Sequence, residues 1–190
     1  WERSGERPTD ADMRDLANEM RSGGDLLSME TNLGELVRRA NVRLDGFAGF
    51  LDDFQPEFIE IEQTVVNRTV GYAGTTDAIV KIGNTLLTGD IKTSKKVRGD
   101  YALQAVAVMN AENLLDNDGT LRDMPELTGA FIIHLPESGG YSAVPLRTSQ
   151  AEWETFKALR KAWDFAPDDC ALSEAQSPKE LLLTLLNAKL

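Results

Sequence analysis

Residues 72–93 read YAGTTDAIVKIGNTLLTGDIKT, and the fold turns on how this stretch pairs with itself. Gly83-Asn84 suits a two-residue hairpin turn, because both residue types tolerate the positive φ that such turns demand. On either side, Tyr72 to Ile82 and Thr85 to Thr93 have the β-branched and apolar content of paired strands. With Gly83 and Asn84 at the turn, Ile82 faces Thr85, and counting outward sets Asp77 opposite Asp90. Residues paired this way share a sheet face, with Cβ atoms ~5 Å apart. Lys92, two residues beyond Asp90, falls on that same face. Two carboxylates so placed repel unless positive charge lies between them. A Mg²⁺ ion suits the patch, since it prefers oxygen ligands, takes one or two carboxylates and leaves positions for water and phosphate. Such an ion can activate water and polarise a phosphodiester. Lys92 would then orient or deprotonate that water, or stabilise the pentacovalent phosphate.

Upstream, Phe58 to Val66 alternates in part, which predicts a third strand. A connection over Asn67 to Gly71 brings Glu62 alongside Asp77 as a further metal ligand, with Glu60 on the same face. Downstream, Lys92, Lys95, Lys96 and Arg98 put four positive charges into seven residues, either a phosphate-binding rim or a solvated loop. Asp100 to Leu115 reads as a strongly apolar helix and Asp116-Asn117-Asp118-Gly119 as a loop. Thr128 to Leu135 and Tyr141 to Leu146 read as two more strands, joined around Ser138-Gly139-Gly140.

Helical patterns fill the remainder. Thr9 is placed as N-cap of a helix running to about Met20. Leu33 to Leu51 has apolar residues near helical spacing, weakened by Gly34, Gly46 and Gly49. Ser149 to Trp163, with Trp153, Phe156 and Trp163 packing on the sheet, and Pro178 to Ala188 close the chain. The expectation is a single α/β domain over 1–190, core 57–165. Its central mixed β-sheet has about five strands with helices on both faces, and the site lies at one edge.

Composition narrows the function. The 190 residues carry a net charge of −11, which argues against a protein that coats nucleic acid, since phosphate affinity rests on Lys and Arg. Metal-holding acids contribute to that total, so a nuclease stays open. The single cysteine, Cys170, rules out an internal disulfide framework or a cysteine-built iron–sulfur cluster. No apolar run approaches the ~20 residues of a membrane span, and no signal-peptide pattern opens the chain. A cytoplasmic setting without membrane contact is the expectation. Asn67-Arg68-Thr69 matches the glycosylation pattern by chance.

The order Gly74-Thr75-Thr76-Asp77-Ala78-Ile79-Val80, then Thr88-Gly89-Asp90-Ile91-Lys92-Thr93-Ser94-Lys95, then Tyr101-Ala102-Leu103-Gln104 resembles the RecB-type branch of the PD-(D/E)XK nucleases. Phage and CRISPR-associated exonucleases belong to that branch. The resemblance covers about Glu57 to Leu115 and implies a restriction-endonuclease-like fold. It implies a Mg²⁺- or Mn²⁺-dependent exonuclease hydrolysing DNA in phage or bacterial recombination and repair, working in a bacterial or phage-infected cell. Asp77 and Asp90 would ligate metal, Ile91 would lend its backbone carbonyl, and Lys92 would be the catalytic lysine. Gln104 would contact the substrate backbone or brace the site, and Lys95, Lys96, Arg98 and Tyr101 would bind substrate. A homo-oligomer or a recombination partner protein would accompany the activity. The branch's upstream His is missing: Gly34 is followed by Glu35, Leu36, Val37 and Arg38, and Arg38 is one residue that could replace it. The sole histidine, His134, reads as a sheet residue. Val108 stands where a Tyr is usual, and the iron–sulfur cysteines of some relatives are absent. The competing expectation is a non-cleaving DNA- or protein-binding module on the same fold.

Overall fold

The computed structural model describes residues 8–9, 11–15 and 33–164. The later part of the expected first helix, the helix expected over 178–188 and Cys170 lie outside the described residues. Thr9 does act as a cap: the Asp12 amide donates to Thr9 Oγ1 (3.2 Å), and Asp12 Oδ2 accepts from the Thr9 amide (2.7 Å). Residues 11–15 are helical. The chain then forms α1 (Leu33–Phe54), β1 (Glu57–Asn67), β2 (Tyr72–Ile82), β3 (Thr85–Lys92), α2 (Tyr101–Met109), β4 (Asn113–Leu115), β5 (Leu121–Asp123), β6 (Gly129–His134), β7 (Ser142–Pro145) and α3 (Gln150–Trp163).

Seven strands make one mixed sheet in the order β5-β4-β1-β2-β3-β6-β7. Neighbours run antiparallel except β3 and β6, which are parallel. The fold is therefore α/β with a mixed sheet, but it has two strands more than the five expected. β4 comes from the end of the segment read as one long helix, and β5 from residues just past the loop, where the sequence predicts no element. α2 stops at Met109 because its end is drawn onto the sheet: the buried Asn67 side chain donates through Nδ2 to the Asn110 carbonyl (2.7 Å), and the Glu112 backbone amide donates to the Val66 carbonyl (2.8 Å). Leu114 then pairs with Val65, and the Asp116–Gly119 turn returns the chain as β5. Asn67 is 5% exposed and so committed to this junction, in keeping with its glycosylation pattern being chance.

Alternation along β2 sorts the core onto two faces. Ala78 and Val80 pack with Phe47 and Phe50 of α1 and with Phe131, Ile133 and Leu135. Ile79 faces the other way, onto Val65, Leu114 and Val108 of α2. Helices thus cover both faces, as expected. α3 docks through Trp153 and Phe156, whose rings meet Tyr72 edge-on at 6.2 and 4.9 Å. Trp163 does not share this task, being 85% exposed. No helix among the described residues is long and apolar enough to cross a membrane.

The glycines that weaken α1 as a helix allow it to dock. A Cβ on Gly46 would stand 2.3 Å from the Gly140 carbonyl oxygen, and one on Gly49 would press on the Tyr141 ring at 3.3 Å. The helix ends with Gln55 at φ +45, its amide on the Leu51 carbonyl (2.9 Å), followed by Pro56. This is a left-handed C-terminal cap with a proline stop. Gly46→Ala should destabilise the protein by ~1–3 kcal/mol through overpacking against backbone, despite alanine's helix preference of ~1 kcal/mol; urea denaturation measures the difference.

Candidate active site

The two-residue turn holds. Ile82 pairs with Thr85, and the β2–β3 ladder runs regularly to Ala78 opposite Gly89, where it stops. Gly89 is the place of a close approach, because a Cβ there would meet the Phe131 ring at 3.0 Å. Past this rung the strands part, and side chains take over from backbone. Asp77 Oδ2 accepts the Ile91 amide N–H at 2.8 Å, filling the gap where a ladder bond ends. Asp77 and Asp90 stand one position beyond this last pair, near enough for their charges to interact, so the two acids approach each other past the end of the ladder and not as the directly paired rung that the hairpin count predicts. They do so at the middle of the sheet rather than at one edge, since β2 and β3 are its fourth and fifth strands.

Lys92 Nζ stands 2.5 Å from Asp90 Oδ2, with both side chains about one-fifth exposed. The ammonium also lies 5.1 Å from the centre of the Tyr101 ring, a cation–π distance. Tyr101 is held in turn by its hydroxyl donating to Ser94 Oγ (3.1 Å). Asp90 Oδ2 is sealed from solvent, and no donor meets it with hydrogen-bond geometry. The contact with Lys92 is therefore an ion pair by distance and charge, without an aligned N–H. Burial pushes the Asp90 carboxyl above its ordinary value near 3.8; the Asp77 carboxylate adds to the rise, and Lys92 opposes it. Two carboxylates against one ammonium leave the patch one positive charge short.

The remaining expected residues are placed as follows. Tyr101 and Gln104 line, with Asp90, a narrow crevice under α2. Gln104 is exposed there rather than buried, so it is open to solvent and not a core hydrogen-bonding group. Glu62 lies opposite Asp77 by the flanking pairs Ile61–Ala78 and Gln63–Thr76, as expected. Its backbone is at φ +48, a costly conformation for a non-glycine residue. Consecutive residues Ile61 and Glu62 thereby both line a cavity of about 510 Å³ under α1, with Arg43, Phe47, Ile91 and Leu135. Among the described residues, no three His, Cys, Asp or Glu side chains are grouped to hold an ion.

Lys95, Lys96 and Arg98 are all exposed. Arg98 pairs with Asp100 at 2.9 Å, an interaction that the tally of basic residues overlooked. His134 sits beside Lys92 in the parallel register, its Nε2 2.7 Å from the Ser94 carbonyl, a satisfied sheet residue. Arg38 bonds Glu35 one turn away on the exposed face of α1. Ser94 and Arg147 were not singled out from sequence. Ser94 joins Tyr101 to His134, and nothing in its local sequence marks it. Arg147 carries a weak signal, a lone cation between a strand and the helix-capping Ser149.

No family model and no curated protein matches the chain. Among solved structures, that of SSO0001 aligns with 82% of this chain and 73% of its own at 12% identity and a TM-score of 0.36, too slight a likeness to bear on fold or function.

The raised Asp90 carboxyl has a thermodynamic consequence. The folded state holds that proton more tightly than the unfolded chain, so stability falls as pH rises from near 3.8 through the folded value, and the loss persists at neutral pH. In chelator, Asp90→Asn should gain on the wild type across that window and show no such gain below it. Thermal melts of both proteins from about pH 3 to 7 measure it; parallel curves would mean that Asp90 ionises without penalty.

Proposed function

We propose that this protein is a divalent-metal-dependent nuclease that hydrolyses DNA phosphodiester bonds, with Asp77 and Asp90 as metal ligands and Lys92 as the catalytic lysine. The observation that carries the reading is the state of Asp90: a carboxylate oxygen shut off from water, with one misaligned ammonium, that of Lys92, against it and a second carboxylate nearby. Such an arrangement costs free energy unless a cation completes it. The donor set fits Mg²⁺ or Mn²⁺, which accept one or two carboxylates and fill other positions with water and phosphate oxygens. The Ile91 carbonyl is a third protein oxygen on the same strand, whereas Glu62, on the neighbouring strand, lines the cavity under α1 and not the crevice that holds Asp90. An ion bound there would supply Lewis acidity and lower the pKa of a bound water.

The residues divide the remaining work by position. Asp77 is oriented by the Ile91 amide, so its carboxylate is fixed before any ligand arrives. Lys92 reaches the same point from the strand end, steadied by the Tyr101 ring. Its ammonium can orient the attacking water or stabilise charge growing on the phosphate. Gln104, exposed and lining the crevice with Asp90, would touch the substrate backbone. The resemblance of Gly74–Asp77, Asp90–Lys92 and Gln104 to the RecB-type pattern adds support and favours exonucleolytic action in recombination or repair. A site with both acids but no turnover would be a DNA- or protein-binding module on this fold.

Two measurements decide. Millimolar Mn²⁺ should raise the wild-type melting temperature, because an ion bound to the native state alone stabilises it, and Asp90→Asn should lose most of that shift. Lys92→Ala should cut DNA at least ~10²-fold more slowly while keeping metal affinity, and Lys92→Arg should not rescue it, since guanidinium differs in shape and stays protonated. Calorimetric titration beside single-turnover cleavage of end-labelled DNA reads both; near-normal cutting by Lys92→Ala would dismiss the lysine. A wild-type protein that binds metal and never cuts would establish the binding module instead.

A further inference from the structure

A second hollow adjoins the site. Leu146 lines both the crevice that holds Asp90, Tyr101 and Gln104 and a groove of about 630 Å³ beyond it. One wall of that groove carries Arg98, Gly99 and Asp100 and the first turn of α2. The other carries Arg147, Glu152 and Thr155, at the start of α3. An arginine thus stands on each side of a groove that shares Leu146 with the crevice holding Asp90.

Both arginines are exposed, and each rests on a carboxylate of its own wall. Asp100 holds Arg98 at two points (Nε to Oδ1 3.0 Å, Nη2 to Oδ2 2.9 Å), whereas Arg147 meets Glu152 at one, 3.4 Å away, with its side chain 83% exposed. Ion pairs this exposed are screened by water and contribute little. The Arg147 pair is also dispensable to its partner. Glu152 is the N3 residue of a capping box: Oε2 takes the Ser149 amide at 3.1 Å and the Ser149 hydroxyl as well. The cap survives if Arg147 turns away, so its guanidinium is free to exchange a long carboxylate contact for a bidentate phosphate contact.

We infer that Arg147, with Arg98 across the groove, holds the phosphates of a single DNA strand leading from Asp90; the inference rests on the nuclease reading. The groove's volume is that of a site for a drug-sized ligand, ~300–1,000 Å³. It has room for a few nucleotides of one strand and not for a duplex. In the free protein the self-paired arginines make the groove nearly neutral, consistent with an overall charge of −11 and weak attraction for nucleic acid elsewhere on the surface.

The test uses Asp90→Asn protein, so that DNA is bound and not consumed, with an end-labelled oligothymidylate titrated at several NaCl concentrations. Adding Arg147→Ala should weaken binding several-fold at low salt and flatten the slope of log K against log salt by about 0.7, the loss of one single-strand phosphate contact. Lys161→Ala removes the same charge from the exposed end of α3, outside the groove, and should change neither. A blunt duplex should lose less than the single strand. The melting temperature of Arg147→Ala should match that of its parent, because the α3 cap is untouched. Unaltered affinity and slope in Arg147→Ala, an equal effect from Lys161→Ala, or an equal loss on blunt duplex would overturn the inference. The two readings fail separately: wild-type protein that cuts with Mn²⁺ while Arg147→Ala binds normally refutes the groove alone, whereas no cutting at all refutes the nuclease.

Discussion

The hydrogen bond from the Ile91 amide to the Asp77 carboxylate is the contact on which the rest of the site depends. Where β2 and β3 part, the backbone loses its ladder partner, and a half-buried N–H left alone would cost roughly 1–3 kcal/mol. A charged acceptor removes that cost and in the same contact fixes the direction of the carboxylate. Asp77 is consequently both the last element of strand pairing and the first element of the site. Gly89 lets the backbone of β3 pass under the Phe131 ring, so the parting falls at this rung. Strand register, the close approach and the placement of both acids therefore have one origin.

Charge is distributed to match. The protein is acidic overall, yet around Asp90 the deficit is of positive charge, and nearby cations are already engaged. Lys92 lies between Asp90 and the Tyr101 ring, and Arg98 and Arg147 lean on neighbouring carboxylates. The Lys92 and Arg147 contacts are geometrically imperfect, and the forked Arg98 pair is open to water. A ligand bringing divalent positive charge relieves the acids, and one bringing phosphates replaces the carboxylates at the arginines. The free protein is thus internally compensated, but more loosely than its bound state would be.

The sequence made the hairpin legible because a two-residue turn leaves no freedom in register: once Gly83 and Asn84 are the turn, Asp77 must approach Asp90. The β1–β2 pairing near Glu62 could also be counted, since the connection to Tyr72 is short. The backbone flip at Glu62 could not, because a positive φ at glutamate has no signature in residue type. β4 and β5 were hidden for a related reason. Three residues each are too few for alternation to show, and Val106 to Leu115 is apolar enough to read as one helix until Asn67 claims the Asn110 carbonyl. α1 shows the reverse case, in which Gly46 and Gly49 weaken the local helical signal because they serve a tertiary contact. Gln104 stands among apolar Ala102, Leu103, Ala105 and Val106, and its exposure becomes visible only once the helix shows which face it turns to the core. Arg147 escaped notice because what distinguishes it, a partner already engaged in a helix cap, exists only in three dimensions.

The single parallel junction bears on how the molecule assembles. β2 and β3 meet across two residues, but β6 reaches β3 only after the chain has run through α2, β4 and β5. Closing that excursion is entropically dearer than closing the hairpin, and long-range pairing of this kind slows folding. The acids are therefore brought together early, on a hairpin whose outer side is still open to water, which screens their repulsion. Desolvation follows when β6 docks beside β3 and α2 settles over Asp90. The electrostatic penalty that defines the site thus belongs to the long-range packing of β6 and α2 and not to the hairpin itself.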